Sequence, residues 1–304
     1  MRIQHTRVAV EVPATSANLG PGYDTLGLAL DLCDELSVEA TTGAVEIEVT
    51  GEGAGSVPDG EDHLVVRALR RGLDHAGAPQ TGLRLTARNH IPHGRGLGSS
   101  AAATIAGLLL ARGMLSDPEA LDDQTVLELA TEFEGHPDNA APALLGGAVL
   151  SWMSGVGARA VPLRLGEDVL RPVVLLPSAT LSTLSARGLL PAEVPHGDAV
   201  ANAARAALLV HALAGEPELL LEATEDRLHQ EQRAPGMPES VELMRVLRAE
   251  GHPAVISGAG PSVLVLQGGR AEIAPLVRRF VADPATWRIA EVPLRRGAAA
   301  PVVG

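Results

Sequence analysis

Residues 91–113 read IPHGRGLGSSAAATIAGLLLARG, three alternating glycines and two serines followed by eleven residues, most of them alanine and leucine, that favour a helix. LRLTARN, residues 83–89, alternates polar and apolar side chains just upstream and predicts a strand, so the glycines fall at a strand-loop-helix junction. Ser99 or Ser100 is the expected N-cap and Gly113 the expected stop. Four readings of GRGLGSSA compete. A Walker loop needs a lysine on the phosphates, and all 24 basic residues of this chain are arginine. A dinucleotide fingerprint could use Gly96, Gly98 and Ala101, with Asp117 as the ribose contact. A plain turn and helix cap accounts for one or two glycines. The fourth is an anion cradle without lysine, in which glycines admit close backbone approach, the helix start offers free N–H groups, and serines add hydroxyls that could ligate magnesium.

The composition narrows the classes further. The chain has 304 residues, of which 46% are apolar, enough for one large or two modest cored domains. A net charge of −13 and only five aromatic residues argue against a nucleic-acid partner. The missing lysines also exclude protein-kinase and Schiff-base chemistry. No apolar run approaches the ~20 residues of a bilayer span. The first residues do not resemble an export signal, and Cys33 is the only cysteine, so a reduced, cytoplasmic setting is expected.

Along the chain, Arg7–Pro13 predicts a short strand, TSANLGPGYDTLG a glycine-punctuated loop, and VEIEVT, residues 45–50, a further strand. Helices are expected from Asp62 to Gly77, from Asp117 to Gly135, over 198–214, 217–229, 240–250 and 271–282. Strands are expected at 148–153, in RPVVLLP, on both sides of the turn in AVISGAGPSVLVLQ, and at 287–294. GVGARAVPLRLGED predicts a domain joint, and RRGAAAPVVG a frayed tail. Helices and strands without strict alternation predict an α+β fold.

PHGRGLGSSAA, residues 92–102, closely resembles the ATP loop of the GHMP kinases, a family of small-molecule kinases. Two further stretches support the resemblance in the expected order: PATSANLGPGYDTLGLAL, residues 13–30, is similar to the first family motif, and ISGAGPSVLV, residues 256–265, to the third. Within the family, TSANLGPGYD and EGHPDNAAPALLGG are similar to the branch whose acceptor is L-homoserine. The resemblance implies a two-domain fold, with an ATP-binding α/β domain over residues 1–155 and a ferredoxin-like domain over 156–304. It also implies transfer of the ATP γ-phosphoryl group to the homoserine side-chain hydroxyl, giving O-phospho-L-homoserine on the way to threonine, by a cytoplasmic homodimer using ATP and Mg2+.

Residue roles follow from the same resemblance. Pro92, Gly94, Arg95, Gly96, Leu97, Gly98, Ser99, Ser100, Ala101 and Ala102 form the ATP loop, and His63 stands where the family often has an asparagine near adenine. Asn18 and Asp24 contact the acceptor, Asp24 facing its ammonium, while Arg187 and Arg233 bind its carboxylate and His136 adds a contact. Ser99 and Glu132 are the expected magnesium ligands, with Glu128 and Glu134 as neighbours of Glu132. Transfer without a dominant base is expected, Asp24, Asp138 and Asn139 being the nearest candidates. Tyr23 replaces the commoner phenylalanine, a change expected to be harmless.

Overall fold

The computed structural model describes all 304 residues. The chain opens with two long antiparallel strands, β1 (Arg7–Asn18) and β2 (Gly22–Thr41). The stretch expected as a loop is therefore mostly strand, reversed over three residues. Asn18, Leu19 and Gly20 all take left-handed backbone there, with φ of +73°, +49° and +83°. Ser16 and Thr15 are fully buried and hydrogen-bonded, which is why polar letters here do not signal a surface loop.

Next come β3 (Glu46–Gly51), α1 (Leu64–His75), β4 (Gly82–Asn89), α2 (Ser99–Met114), α3 (Asp123–Glu134), α4 (Ala140–Leu145), β5 (Ala148–Ser154) and β6 (Gly157–Pro162). The glycine loop lies between β4 and α2, and α2 is apolar on every side because α1, α3 and the sheet enclose it. Gly107 makes that possible, since a Cβ there would stand 2.4 Å from the Val65 carbonyl oxygen on α1.

The remaining elements are β7 (Val173–Pro177), α5 (Thr183–Gly188), α6 (His196–Leu213), α7 (Leu220–Ala223), α8 (Pro238–Ala249), β8 (Ala254–Ile256), β9 (Val263–Val265), α9 (Arg270–Phe280), β10 (Trp287–Glu291) and β11 (Val302–Val303). Two sheets result. The first has seven strands, β11-β1-β2-β4-β3 with β5 on β2 and β6 on β5, and only the β3–β4 pair is parallel. The second runs β10-β7-β9-β8, wholly antiparallel. With α8 and α9 as its crossovers it is the strand-helix-strand-strand-helix-strand unit of ferredoxin-like domains. Its strands alternate between two cores: Val173 and Leu175 face α8 and α9, whereas Val174 and Leu176 join the large core shared with the first sheet. The α+β reading therefore holds.

Four local expectations change. The segment expected as a domain joint begins with β6, which continues the first sheet, so a division at 155/156 would split the β5–β6 hairpin. The last residues are not a frayed tail: Ala298 and Ala299 donate to the carbonyls of Ala143 and Glu11, and β11 pairs with β1. The helix expected over 217–229 stops at Ala223, because the Asp226 carboxylate gathers the N–H groups of Leu228, His229 and Gln230 into a turn. Gly98, in left-handed backbone, is the N-cap of α2 instead of a serine.

Candidate active site

Three strand ends and one helix start converge. The glycine loop turns on Gly94, Gly96 and Gly98, with φ of +64°, +69° and +66°. The last two are glycines for want of space as well: a Cβ at Gly96 would lie 2.1 Å from the Ser257 carbonyl oxygen, and one at Gly98 would lie 2.0 Å from Thr15 Oγ1. The loop is thereby clamped between β1 and the segment after β8. Thr15 N–H donates to the Leu97 carbonyl at 3.0 Å, the Ser257 hydroxyl donates to the Gly96 carbonyl at 2.6 Å, and Gly258 N–H donates to the Ala17 carbonyl at 3.1 Å. Gly98 supplies no side-chain cap, so the first N–H groups of α2 are left for another acceptor.

A cavity of about 210 Å3 opens at this point. The loop lines it from Gly94 to Ala101, except at Arg95. Pro92 and Ala102 are buried behind the loop and support it without reaching the cavity. Arg95 turns outward, with Nη2 3.4 Å from the Ser178 carbonyl oxygen, and lines the neighbouring groove of the second sheet. His63 is not in the cavity wall either; it precedes α1, is 5% exposed, and its Nδ1 is buried without a partner.

The carboxylates of the α3 end separate cleanly. Glu134 reaches the cavity and accepts a short hydrogen bond from the Ser100 hydroxyl. Glu132 points away, held by Nε and Nη2 of Arg71 at 2.9 and 3.0 Å, and its side chain is 51% exposed. Glu128 is paired with Arg159 on β6. The expected partnership of Glu132 with the loop serines is therefore not formed: Glu128 and Glu132, one turn apart, share a side of α3, whereas Glu134, two residues further and about 200° around the helix, ends at the cavity.

The rest of the wall is a charge network. Asn18 donates through Nδ2 to the Gly258 carbonyl at 2.9 Å and accepts through Oδ1 from Asp24 N–H at 3.0 Å. That bond holds Asp24 in left-handed backbone, φ +55°. Arg187 on α5 grips the Asp24 carboxylate, Nη2 to Oδ1 at 2.7 Å, and donates to the Tyr23 hydroxyl at 3.0 Å. Burial of Arg187 opposes its charge, but Asp24 outweighs burial and holds its proton more firmly than in water. Arg233, only 2% exposed, donates to the Gly258 carbonyl at 3.1 Å and to His229 Nδ1 at 3.2 Å, and its Nε is buried without a partner. Burial pulls the His229 ring below the ordinary histidine range, so it is neutral, with the Nε2 proton on the Gly20 carbonyl at 2.8 Å and Nδ1 free to accept from Arg233.

His136 and Asp138 complete the site, joined by a short hydrogen bond at Nδ1. Burial disfavours the imidazolium, yet the hydrogen bond and charge of Asp138 prevail and raise His136 above its usual range. Asn139 is spent on Thr15, whose hydroxyl donates to its Oδ1 at 2.8 Å. One oxygen or nitrogen from each of Asp24, His136 and Asp138 falls within 4.8 Å of the others. Sequence reasoning passed over His229 and gave Tyr23 no role beyond a harmless replacement, although its hydroxyl accepts from Arg187. Tyr23 is structural glue, with the Arg187 and Arg233 guanidiniums 5.7 and 5.5 Å from its ring centre and His229 at 5.0 Å. His229 carried one signal, its i,i+4 spacing from Arg233.

The dinucleotide reading fails on this geometry. Asp117 lies beyond the far end of the 16-residue helix α2, about 24 Å along its axis at 1.5 Å per residue. β4 has its one parallel neighbour in β3, not in a strand that follows α2.

Comparison with known proteins agrees with the geometry. A family model described as the GHMP kinases N terminal domain matches residues 63–147. Homoserine kinase of Streptomyces avermitilis is 56% identical over 260 residues, 85% of each chain. That of Clavibacter michiganensis is 52% identical over 284 residues, 92% of this chain and 90% of the relative. The crystal structure of homoserine kinase from Cytophaga hutchinsonii superposes with a TM-score of 0.82 at 27% identity, covering 98% of this chain and 97% of the other. A crystal structure of mevalonate kinase shares the fold alone, with a TM-score of 0.66 at 15% identity. With its lysine-free glycine loop closed against β1 and the third glycine motif, the chain belongs to the homoserine kinases, a branch of the GHMP kinase family.

Proposed function

We propose that the protein transfers the γ-phosphoryl group of ATP to the side-chain hydroxyl of L-homoserine, giving O-phospho-L-homoserine and ADP, on the way to threonine. One observation carries this reading: a single cavity has an uncapped helix start beside three left-handed glycines in one part of its wall, and Asp24, Arg187 and Arg233 in another. The first part suits a triphosphate and the second a small zwitterion.

In this reading the N–H groups at the start of α2 hold the phosphates, with Ser99 and Ser100 adding hydroxyls. Asp24 takes the ammonium, and Arg187 and Arg233 the carboxylate, the buried free Nε of Arg233 being a donor ready for it. The Ser100 hydroxyl and the Glu134 carboxylate, hard oxygen donors already in contact, suit Mg2+ and replace the pairing of Ser99 with Glu132. Neutralisation of triphosphate charge is the chemistry such an ion supplies when bound. No side chain stands free as a dedicated base: Asp138 is engaged by His136, Asn139 by Thr15 and Asp24 by Arg187. Phosphoryl transfer through a loose transition state needs alignment and charge stabilisation more than prior deprotonation, so the network serves to position the acceptor hydroxyl.

We also place the enzyme in the cytoplasm as a homodimer, on the family resemblance; sedimentation of the purified chain tests the latter. The deciding experiment is a coupled ADP-release assay with homoserine, mevalonate, galactose and shikimate as acceptors. Turnover with homoserine is expected, and preference for another alcohol would refute the assignment.

A further inference from the structure

Two of the groups assigned to opposite ends of the acceptor are bonded to each other here. Arg187 and Asp24 meet fork on fork, Nη2 to Oδ1 at 2.7 Å and Nη1 to Oδ2 at 3.3 Å. Both are fixed from behind, Asp24 by Asn18 and Arg187 by the Tyr23 hydroxyl. Arg233, the other arginine of the cavity, takes no part in the pair and is bonded to His229 and the Gly258 carbonyl.

We propose that the Asp24–Arg187 pair is an exchange latch that restricts the acceptor to zwitterions, an inference resting on the acceptor assignment above. A ligand with both an ammonium and a carboxylate offers each half of the pair a replacement of opposite charge, so charged hydrogen bonds are exchanged without net loss. A ligand with one charge opens the pair, satisfies one half and strands the other. The side chains are 35% and 32% exposed, so water partly solvates the stranded group and the penalty is moderate, about tenfold in affinity.

The latch makes a prediction opposite to ordinary loss of a contact. Removing Arg187 frees Asp24, so Arg187→Gln should bind 3-aminopropan-1-ol, which is homoserine without its carboxylate, about tenfold more tightly than the wild-type protein. By the same argument Asp24→Asn should gain a similar factor for 4-hydroxybutyrate, which lacks the ammonium. Loss of a like charge also favours these ligands, so Arg233→Gln is the reference: it removes an equal charge without releasing Asp24, and its gain for the amine should stay below about threefold.

Affinities are read by NMR titration of the full-length protein, with folding checked by circular dichroism. Should Arg233→Gln not fold, Asp138→Asn serves as the reference for 4-hydroxybutyrate against Asp24→Asn. Equal gains in test and reference variants, or no gain at all, overturn the latch. Homoserine-dependent ADP release by the wild-type protein is measured alongside. Turnover without the expected tightening sinks the latch alone, whereas tightening without turnover sinks the acceptor assignment and leaves the pair exchange standing.

Discussion

Replacing Gly96 by alanine separates backbone strain from crowding at the glycine loop, with Gly94→Ala as the internal reference. Both glycines sit in left-handed backbone, φ +69° and +64°. Each substitution therefore costs about 1–2 kcal/mol for placing a Cβ there. The surroundings differ. At Gly94 the nearest atom to a new Cβ is Thr180 Cβ at 3.4 Å, an ordinary contact. At Gly96 it is the Ser257 carbonyl oxygen at 2.1 Å, with Gly260 N at 2.9 Å, and both are backbone. Relief requires the loop to withdraw by more than 1 Å, on the order of the gap between that distance and normal contact, and withdrawal breaks the 2.6 Å bond from the Ser257 hydroxyl to the Gly96 carbonyl. Overpacking adds about 1–3 kcal/mol and the lost hydrogen bond about 1 kcal/mol. Gly96→Ala should thus lose about 3–6 kcal/mol in urea unfolding, against about 1–2 kcal/mol for Gly94→Ala. It should also raise the KM for ATP more than that for homoserine, because the loop is displaced and the acceptor pocket is not. Equal destabilisation by the two variants would refute the claim that the third glycine motif clamps the loop.

Three further outcomes are expected. Glu134→Gln should lower kcat by about 100-fold or more, since a charged ligand near the transferred phosphoryl is lost, whereas Glu132→Gln should change it by less than about twofold and cost at most ~1 kcal/mol of stability through its exposed Arg71 pair. The reverse order in steady-state assays at saturating ATP and Mg2+ would restore Glu132. Stability should also vary with pH through two histidines of opposite sign, each measured from an ordinary value of 6.5. His136, raised, contributes stability that is complete below pH 6.5 and is lost as pH rises through its higher native value; His229, lowered, contributes stability complete above 6.5 and lost as pH falls toward its native value. In urea titrations His136→Asn should therefore cost most at acid pH and least at alkaline pH, and a pH-independent cost would contradict the assignment. Finally, truncation after Gly297 should destabilise the fold by about 1–3 kcal/mol, through the lost bonds to Ala143, Glu11 and β1, instead of leaving the melting temperature unchanged as loss of a frayed end would.

Much of this site is legible in one dimension because its parts are backbone devices. Gly94, Gly96 and Gly98 announce a left-handed loop, and the absence of lysine excludes a Walker-type loop. Asn18 and Asp24 are likewise turn residues whose letters suit the strained backbone they adopt. Long-range consequences are not legible in this way. The segment 15–18 reads as a loop because its letters are small and polar, yet hydrogen bonds with Asn139, Leu97 and Ser257 make it a buried strand end. The tail 295–304 reads as frayed because no local pattern records the vacant edge of β1 that its end fills.

The sequence by itself determined the strand-loop-helix order, a glycine loop without lysine, the resemblance to the kinase family and the acidic and basic residues proposed to meet a zwitterion, since each depends on residue type and short spacing. Only the tertiary structure decided that Glu134 and not Glu132 faces Ser100, that Arg95 leaves the loop for the second sheet, and that Asp24 and Arg187 bind each other. The reason is physical. Side-chain direction turns by 100° per residue on a helix, and partners more than a hundred residues apart are chosen by packing and by the desolvation of charge, neither of which a local stretch of chain encodes.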